Sequence, residues 1–200
     1  MDIIDKLMMT CFIVFYTLFI GRTLLLMKQG IKPFVLAKGK KGIKRIIELL
    51  FAVGLILWSL EIVFHSMKID FHLVPTQFIA ILFNIMLLKI LGTIIIMIGL
   101  VILTLSFIAF GKSWRVGIDK ENAGELVKKG IFSLTRNPIF LFIDIYSIGT
   151  FLVYPNIFFL ILMILTITGM HYQIIQEEYF LLSQYGDEYK NYMNKVRRYL

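Results

Sequence analysis

The sequence predicts an all-α integral membrane bundle of about five transmembrane helices, with an amphipathic helix at a cytoplasmic C-terminus. Three observations lead there. The 200 residues are 58% hydrophobic and only 17% charged, and mean hydropathy is +0.82, a balance outside that of soluble domains. Apolar runs close to the roughly 20 residues that cross a bilayer recur along the chain. Between them, Lys and Arg collect in particular loops, as they do on the cytoplasmic side of membrane proteins.

Leu7 to Met27 is apolar apart from Arg22. It has neither a basic flank nor a small-residue cleavage site, so it reads as a transmembrane helix and not a signal peptide. Arg22 lies near its end and is expected to snorkel to water. Lys28 to Arg45 carries Lys28, Lys32, Lys38, Lys40, Lys41, Lys44 and Arg45 with no acid, which puts this loop in the cytoplasm and the N-terminus outside. Ile46 to Phe64 is the second span, with Glu48 and Glu61 near its ends, where a carboxylate reaches water. His65, Lys68, Asp70 and His72 follow on the outer side.

The third span is set by charge. Gly111 to Pro138 holds Lys112, Arg115, Lys120, Lys128, Lys129 and Arg136. Keeping these inside requires a single span before them, roughly Leu87 to Phe110. Phe71 to Met86 then lies in the interface or re-enters it, with Pro75 breaking any through-going helix. Asp119 to Lys129 reads as a short helix or turn that Gly130 ends. Ile139 to Tyr154 and Ile157 to Met170 are short apolar runs joined by Pro155-Asn156, a helical hairpin that returns both ends to the cytoplasm. From Tyr172 the apolar positions recur at three- and four-residue steps (Ile174, Glu178, Leu181, Leu182, Tyr185, Tyr189, Tyr192), interrupted at Gly186 and ended by Lys195, Arg197 and Arg198. That basic end suits a helix C-terminus and an anionic membrane surface.

The chain reads as one membrane domain over 1–200. Residues 1–110 form a three-span anchor and substrate-access part, and residues 111–200 a cofactor-binding catalytic part. The net charge of +8 is assigned to cytoplasmic loops and anionic lipid, not to nucleic acid. A single cysteine, Cys11, excludes an internal disulfide and sits in an apolar run, where inert packing is expected. His65, His72 and His171 look scattered, so no metal ligand set is expected.

Chemistry-bearing residues gather between Gly130 and Tyr192. Glu177 and Glu178 stand where the hairpin turns polar. Neighbours on a helix point about 100° apart, so at least one carboxylate faces protein or membrane surface. A cationic ligand would offset that burial, since opposite charges at 4 Å attract by about 4 kcal/mol at an effective dielectric near 20. The plainer alternative is that both cap the membrane end and face water. Arg136-Asn137-Pro138 opens the hairpin: Pro138 suits a first helical turn, whose free N–H groups attract anions, and Arg136 adds a fork matched to a carboxylate. The plainer alternative is a topological flank and a helix start. Asp144 is an acid within the membrane and so a functional candidate, or else a side chain partnered by Tyr146 or Ser147. His171 reads as interfacial.

The succession Gly130-x5-Arg136-Asn137-Pro138-x-Phe140, apolar hairpin, Glu177-Glu178, then Tyr185-Gly186-Asp187-Glu188-Tyr189-x-x-Tyr192 resembles the isoprenylcysteine carboxyl methyltransferase family and its phospholipid N-methyltransferase relatives. Gly111-Lys112-Ser113-Trp114-Arg115 and Glu125-Leu126-Val127-Lys128-Lys129-Gly130-Ile131-Phe132 look like the same family. The resemblance implies a five-helix membrane enzyme that binds S-adenosylmethionine at the cytoplasmic side and methylates a lipophilic acceptor. Carried onto this chain, it makes Leu126, Val127, Gly130, Ile131, Phe132, Arg136, Asn137, Pro138, Glu177 and Glu178 cofactor-binding. The catalytic candidates are Arg136, Glu177 and Asp144, of which Glu177 or Asp144 would take the proton of an amine acceptor. Glu177 or Glu178 would take the cofactor ammonium, Arg136 or the helix start its carboxylate, and Leu126, Val127, Ile131 and Phe132 would flank the adenine. Three positions depart from the family pattern: Asn137 replaces the usual His, Phe140 the usual Tyr, and Gln173 a frequent Arg. Asn137 cannot titrate, which argues against a general base there. Other readings are an NADPH-dependent sterol or enone reductase, disfavoured by paired acids where a phosphate-rich dinucleotide wants cations, and a non-catalytic lipid-binding or transport protein.

Overall fold

The computed structural model describes residues 2–30, 43–111 and 126–200, with side chains from residue 49 onward in the second stretch. Among these it is all-helical, with seven α-helices and one 3-10 turn. The helices are α1 (Ile3–Lys28), α2 (Ile43–Met67), α3 (Thr76–Ile79), α4 (Met86–Phe110), α5 (Pro138–Val153), α6 (Ile157–Tyr185) and α7 (Asp187–Lys195), and the 3-10 turn is Gly130–Ser133. Four of them, α1, α2 (from Leu49), α4 and α6, are long and apolar enough to cross a membrane, and α5 is a shorter apolar helix. Together they make the membrane helical bundle that the sequence predicts. Most of the expected basic loop (Lys32, Lys38, Lys40, Lys41), the side chains of Lys44, Arg45 and Glu48, and the stretch from Lys112 to Glu125 lie outside the described residues.

Each helix has a local reason to start or stop. A capping box opens α1: Asp5 N–H donates to Asp2 Oδ1 at 2.9 Å and Asp2 N–H to Asp5 Oδ2 at 3.1 Å. Residues 68–85, including Pro75 at the head of the four-residue α3, hold no helix long enough to cross, so α4 begins at Met86 where the charge argument puts it. Pro138 occupies the first turn of α5. Asn156 caps α6, its Oδ1 accepting from Phe159 N–H at 2.8 Å.

The hairpin's second arm departs from expectation. Ile157 to Met170 and the amphipathic stretch after it are one continuous 29-residue helix, about 43 Å long. No residue between Met170 and Tyr172 breaks it. Only Gly186, at φ 52°, turns the chain into α7. Leu182, expected on the apolar face, stays exposed, whereas Ile174, Glu178, Tyr189 and Tyr192 are buried.

α5 is the central strut. It packs on α4 and α6, while α1 packs on α4 and α2. Its approach to α4 is set by glycines. A Cβ on Gly92 would meet Gly149 O at 2.7 Å and Leu152 Cβ at 2.8 Å, and one on Gly149 would meet Ile96 Cγ1 at 2.5 Å. Membrane helices use such small residues to bring backbones together, because lipid supplies no hydrophobic drive for the contact. Around it lie Leu100, Leu103, Phe142 and Val153, and Cys11 is buried in the same core. Tyr146 packs among Phe15, Trp58 and Phe142.

The crossing is testable. Gly149→Val is expected to lower the unfolding midpoint in detergent by an amount corresponding to about 1–3 kcal/mol of overpacking. Gly169→Ala, with nothing within 4 Å, should leave it unchanged or slightly raised.

Candidate functional site

The site gathers around one carboxylate. Glu178, near the end of α6, is 6% exposed. Arg136 Nε and Nη2 donate to its Oε1 at 3.1 and 2.7 Å, and Arg198 Nε and Nη2 donate to its Oε2 at 3.1 and 2.7 Å. Two guanidinium forks thus hold one carboxylate from both sides. Such charge-assisted pairs are the strong hydrogen bonds of proteins, and they answer the desolvation of a buried acid. Glu178 in turn raises the Arg198 pKa.

The same arginine anchors the C-terminal tail. Arg136 Nη1 donates to Met193 O at 3.0 Å and Val196 O at 2.9 Å, capping the end of α7. Around it the backbone pairs Arg136 N–H with Arg197 O at 3.0 Å. Asn137 Nδ2 donates to Arg198 O at 3.1 Å, and Thr135 Oγ1 to the same oxygen at 3.2 Å. Tyr192 OH donates to Phe132 O at 2.6 Å. Burial pushes the Tyr192 hydroxyl up to about 12, against the pull of Arg136, so it stays a donor at neutral pH. Tyr199 lies parallel to His171, ring centroids 6.2 Å apart, with its hydroxyl 3.1 Å from His171 Nδ1.

The sequence-predicted residues fall into four groups. Arg136, Asn137 and Glu178 are joined directly, with Pro138 beginning the helix beside them. Arg136 has its fork on Glu178 and its other amine on the tail, so in this state it faces no free space for a ligand carboxylate. Leu126, Val127, Gly130, Ile131 and Phe132 form the approach to Arg136. Gly130 has φ 64°, its site facing Ala109 Cβ, and Phe132 stacks edge-on against Phe110 at 4.6 Å. Glu177 is half-buried, and among the described residues no hydrogen bond or ion pair reaches it. Of the paired acids, then, the structure saturates one and leaves the other unpartnered.

Asp144 stands apart on α5, about 9 Å along the helix from Pro138. It is buried, and its Oδ1 has no hydrogen-bond partner. The partners expected for it do not serve: Ser147 Oγ donates to the Asp144 backbone carbonyl at 2.8 Å, and Tyr146 OH is itself unpartnered. Burial first and then the Asp144 charge push the Tyr199 hydroxyl up, which places Asp144 within electrostatic reach of the tail. Arg22 is half-buried, with its Nε and Nη2 buried without a partner.

Sequence reasoning missed Arg198, which reads as one more terminal cation until the tail folds back 20 residues onto Glu178. A lone buried acid on an otherwise apolar face was the signal that a cation had to come from elsewhere in the chain. An open cleft of about 400 Å³ lies nearby, lined by Lys128, Ser133, Glu188, Asn191, Tyr192, Lys195 and Val196. Neither glutamate of the pair lines it.

A protein-family model described as phospholipid methyltransferase matches residues 87–188, just over half of the chain. The match runs from the start of α4 into α7 and takes in Arg136, Asp144, Glu177 and Glu178. No curated protein sequence matches the chain.

Removing the central acid should strand two cations. Glu178→Ala is expected to destabilise the fold by about 3–5 kcal/mol, the range for breaking a buried pair, and to speed amide exchange across residues 193–200. Arg198→Ala, removing a side chain 38% exposed, should loosen the tail with at most about 1 kcal/mol of stability loss. Thermal unfolding and hydrogen exchange of the detergent-solubilised protein check both.

Proposed function

Because the chain belongs to the phospholipid methyltransferase family, we propose that it is a multi-pass membrane methyltransferase that uses S-adenosylmethionine to methylate a lipophilic acceptor, most simply a phospholipid headgroup. The observation that carries this reading is the asymmetry of the paired acids: Glu178 saturated by Arg136 and Arg198, Glu177 adjacent, half-buried and unpartnered. The family match favours methyl transfer over the reductase and the non-catalytic alternatives.

The residues present suit the cofactor. An unpartnered carboxylate beside a neutralised one is a seat for an ammonium, and Glu177 takes that role. Leu126, Val127, Ile131 and Phe132 offer apolar surface to an adenine. Arg136 is reassigned: with its donors on Glu178, Met193 and Val196, it positions the site, while the more exposed Arg198 or the first turn of α5 receives the cofactor carboxylate. Asn137 holds the tail through Arg198 O and does no proton transfer.

When bound, the cofactor supplies an electrophilic methyl group on a sulfonium. The protein's work is then placement, since fixing an acceptor in line with that carbon can remove roughly 7–11 kcal/mol of the barrier. An amine acceptor must lose a proton, and Asp144, whose Oδ1 is unpartnered, is the group to receive it. A carboxylate or thiolate acceptor needs none. On the acceptor side stands Arg22. Asp5 of α1 meets Tyr154 beyond the end of α5 at 3.2 Å, and Phe15 meets Phe142 at 5.6 Å. α1 therefore runs antiparallel to α5 and carries Arg22 toward the Arg136 end, where its free donors suit a lipid phosphate. Lys128, Lys129, Arg136, Lys195, Arg197 and Arg198 gather at that end, which supports a cytoplasmic placement for it and an outer placement for the start of α1.

Calorimetry with S-adenosylmethionine and S-adenosylhomocysteine tests the core of this reading. Micromolar binding is expected, weakened at least tenfold in Glu177→Gln with the unfolding midpoint unchanged. Folded protein that binds neither, or a Glu177→Gln variant that binds as well as wild type, would refute the assignment. With a lipid-extract acceptor, Arg22→Gln should raise the acceptor KM about tenfold and leave cofactor Kd unaltered.

A further inference from the structure

The opposite end of the bundle holds a second polar cluster. Glu61, read from the sequence as a carboxylate near water, is fully buried at the end of α2. His65 and His72, which look scattered in sequence, converge on it. Lys68, at φ 55°, turns the chain so that the segment after α2 folds back on the helix. His72 Nδ1 lies 2.8 Å and His65 Nδ1 3.7 Å from the same Glu61 oxygen, Oε2. One donor atom from each of the three residues lies within 4.8 Å of the others.

We propose that Glu61, His65 and His72 form a binding site for a divalent transition metal, best suited to Zn²⁺, distinct from the methyl-transfer site. Two imidazoles and a carboxylate are the donor set that such an ion prefers. Bonds of about 2.0–2.2 Å at near-tetrahedral angles space donors about 3.4 Å apart, and the 2.8 and 3.7 Å separations fall on either side of that value. The surroundings hold the ligands in place. Glu61 Oε1 accepts from Leu73 N–H at 3.0 Å, an outer contact that orients a metal ligand. The two histidines are its side-chain partners among the described residues, whereas the nearby Lys68 pairs with Asp5 at 3.5 Å. A bound ion would replace the His72 Nδ1 contact with Glu61 Oε2 and the His65 Nδ1–H bond to Glu61 O, now 2.8 and 2.9 Å. It would pin the segment after α2 to that helix through His72. The His72 side chain is 19% exposed, which gives the ion a way in.

The test uses untagged, full-length protein in detergent, stripped with a chelator. Titration with Co²⁺ should give d–d absorption bands saturating at one ion per chain, which Zn²⁺ then displaces. His72→Ala, on a connecting segment, and Glu61→Gln should each weaken binding at least tenfold. His171→Ala, at the other end, should not. If the folded wild type binds no Co²⁺ or Zn²⁺, or if His72→Ala binds as well as wild type, the cluster is a hydrogen-bonded acid–imidazole pair and the proposal fails.

Discussion

The clasp of Arg136 and Arg198 on Glu178 is the interaction on which the C-terminal part of the structure depends. It joins three pieces of chain that no continuous helix connects: the approach to α5, the emerging end of α6, and the tail after α7. Burying a carboxylate costs several kcal/mol unless its oxygens are well paired, and here both oxygens are. The clasp also sets the local charge. Two guanidinium groups over one carboxylate leave a surplus of one positive charge beside Glu177. A pair of acids that would otherwise repel each other becomes one structural group and one available group.

α5 links that arrangement to the other end of the bundle. At one end it meets the arginine clasp, and at the other it hands over to Tyr154 and Asn156, which touch Asp5, Ser66 and His65. Between them it is pressed to α4 by glycines and surrounded by aromatic rings. Polar order thus sits at the two ends of the strut and close packing in the middle. A bilayer favours that distribution, because charged groups at depth are costly unless protein satisfies them, and Asp144, between the two ends, is the exception.

Much of this could be read from the sequence, for reasons that differ by element. Apolar runs and loop charge located α4 to within a residue, since a helix buried in lipid has little freedom in where it starts. Arg136, Glu177 and Glu178 stood out because charged residues flanking an apolar hairpin need an explanation. What stayed hidden needs three dimensions. Arg198 reads as a terminal cation until the tail folds back. His65 and His72 look unrelated until the turn at Lys68 closes. The continuity of α6 was masked by its change from apolar to amphipathic at Tyr172, which marks where a helix leaves the membrane, not where it ends.

The shortness of α5 has a bearing on how a lipid could be modified. Its 16 residues span about 24 Å, against a hydrocarbon thickness near 30 Å. With its far end level with one interface, its Arg136 end stops about 6 Å short of the other. The polar groups there would sit in a local depression of the membrane, at the depth where a lipid's glycerol and first carbons lie. A lipid headgroup would then reach the site by sinking slightly and moving sideways within its own leaflet. It would not have to be lifted out into water, and its acyl chains would remain solvated by their neighbours throughout.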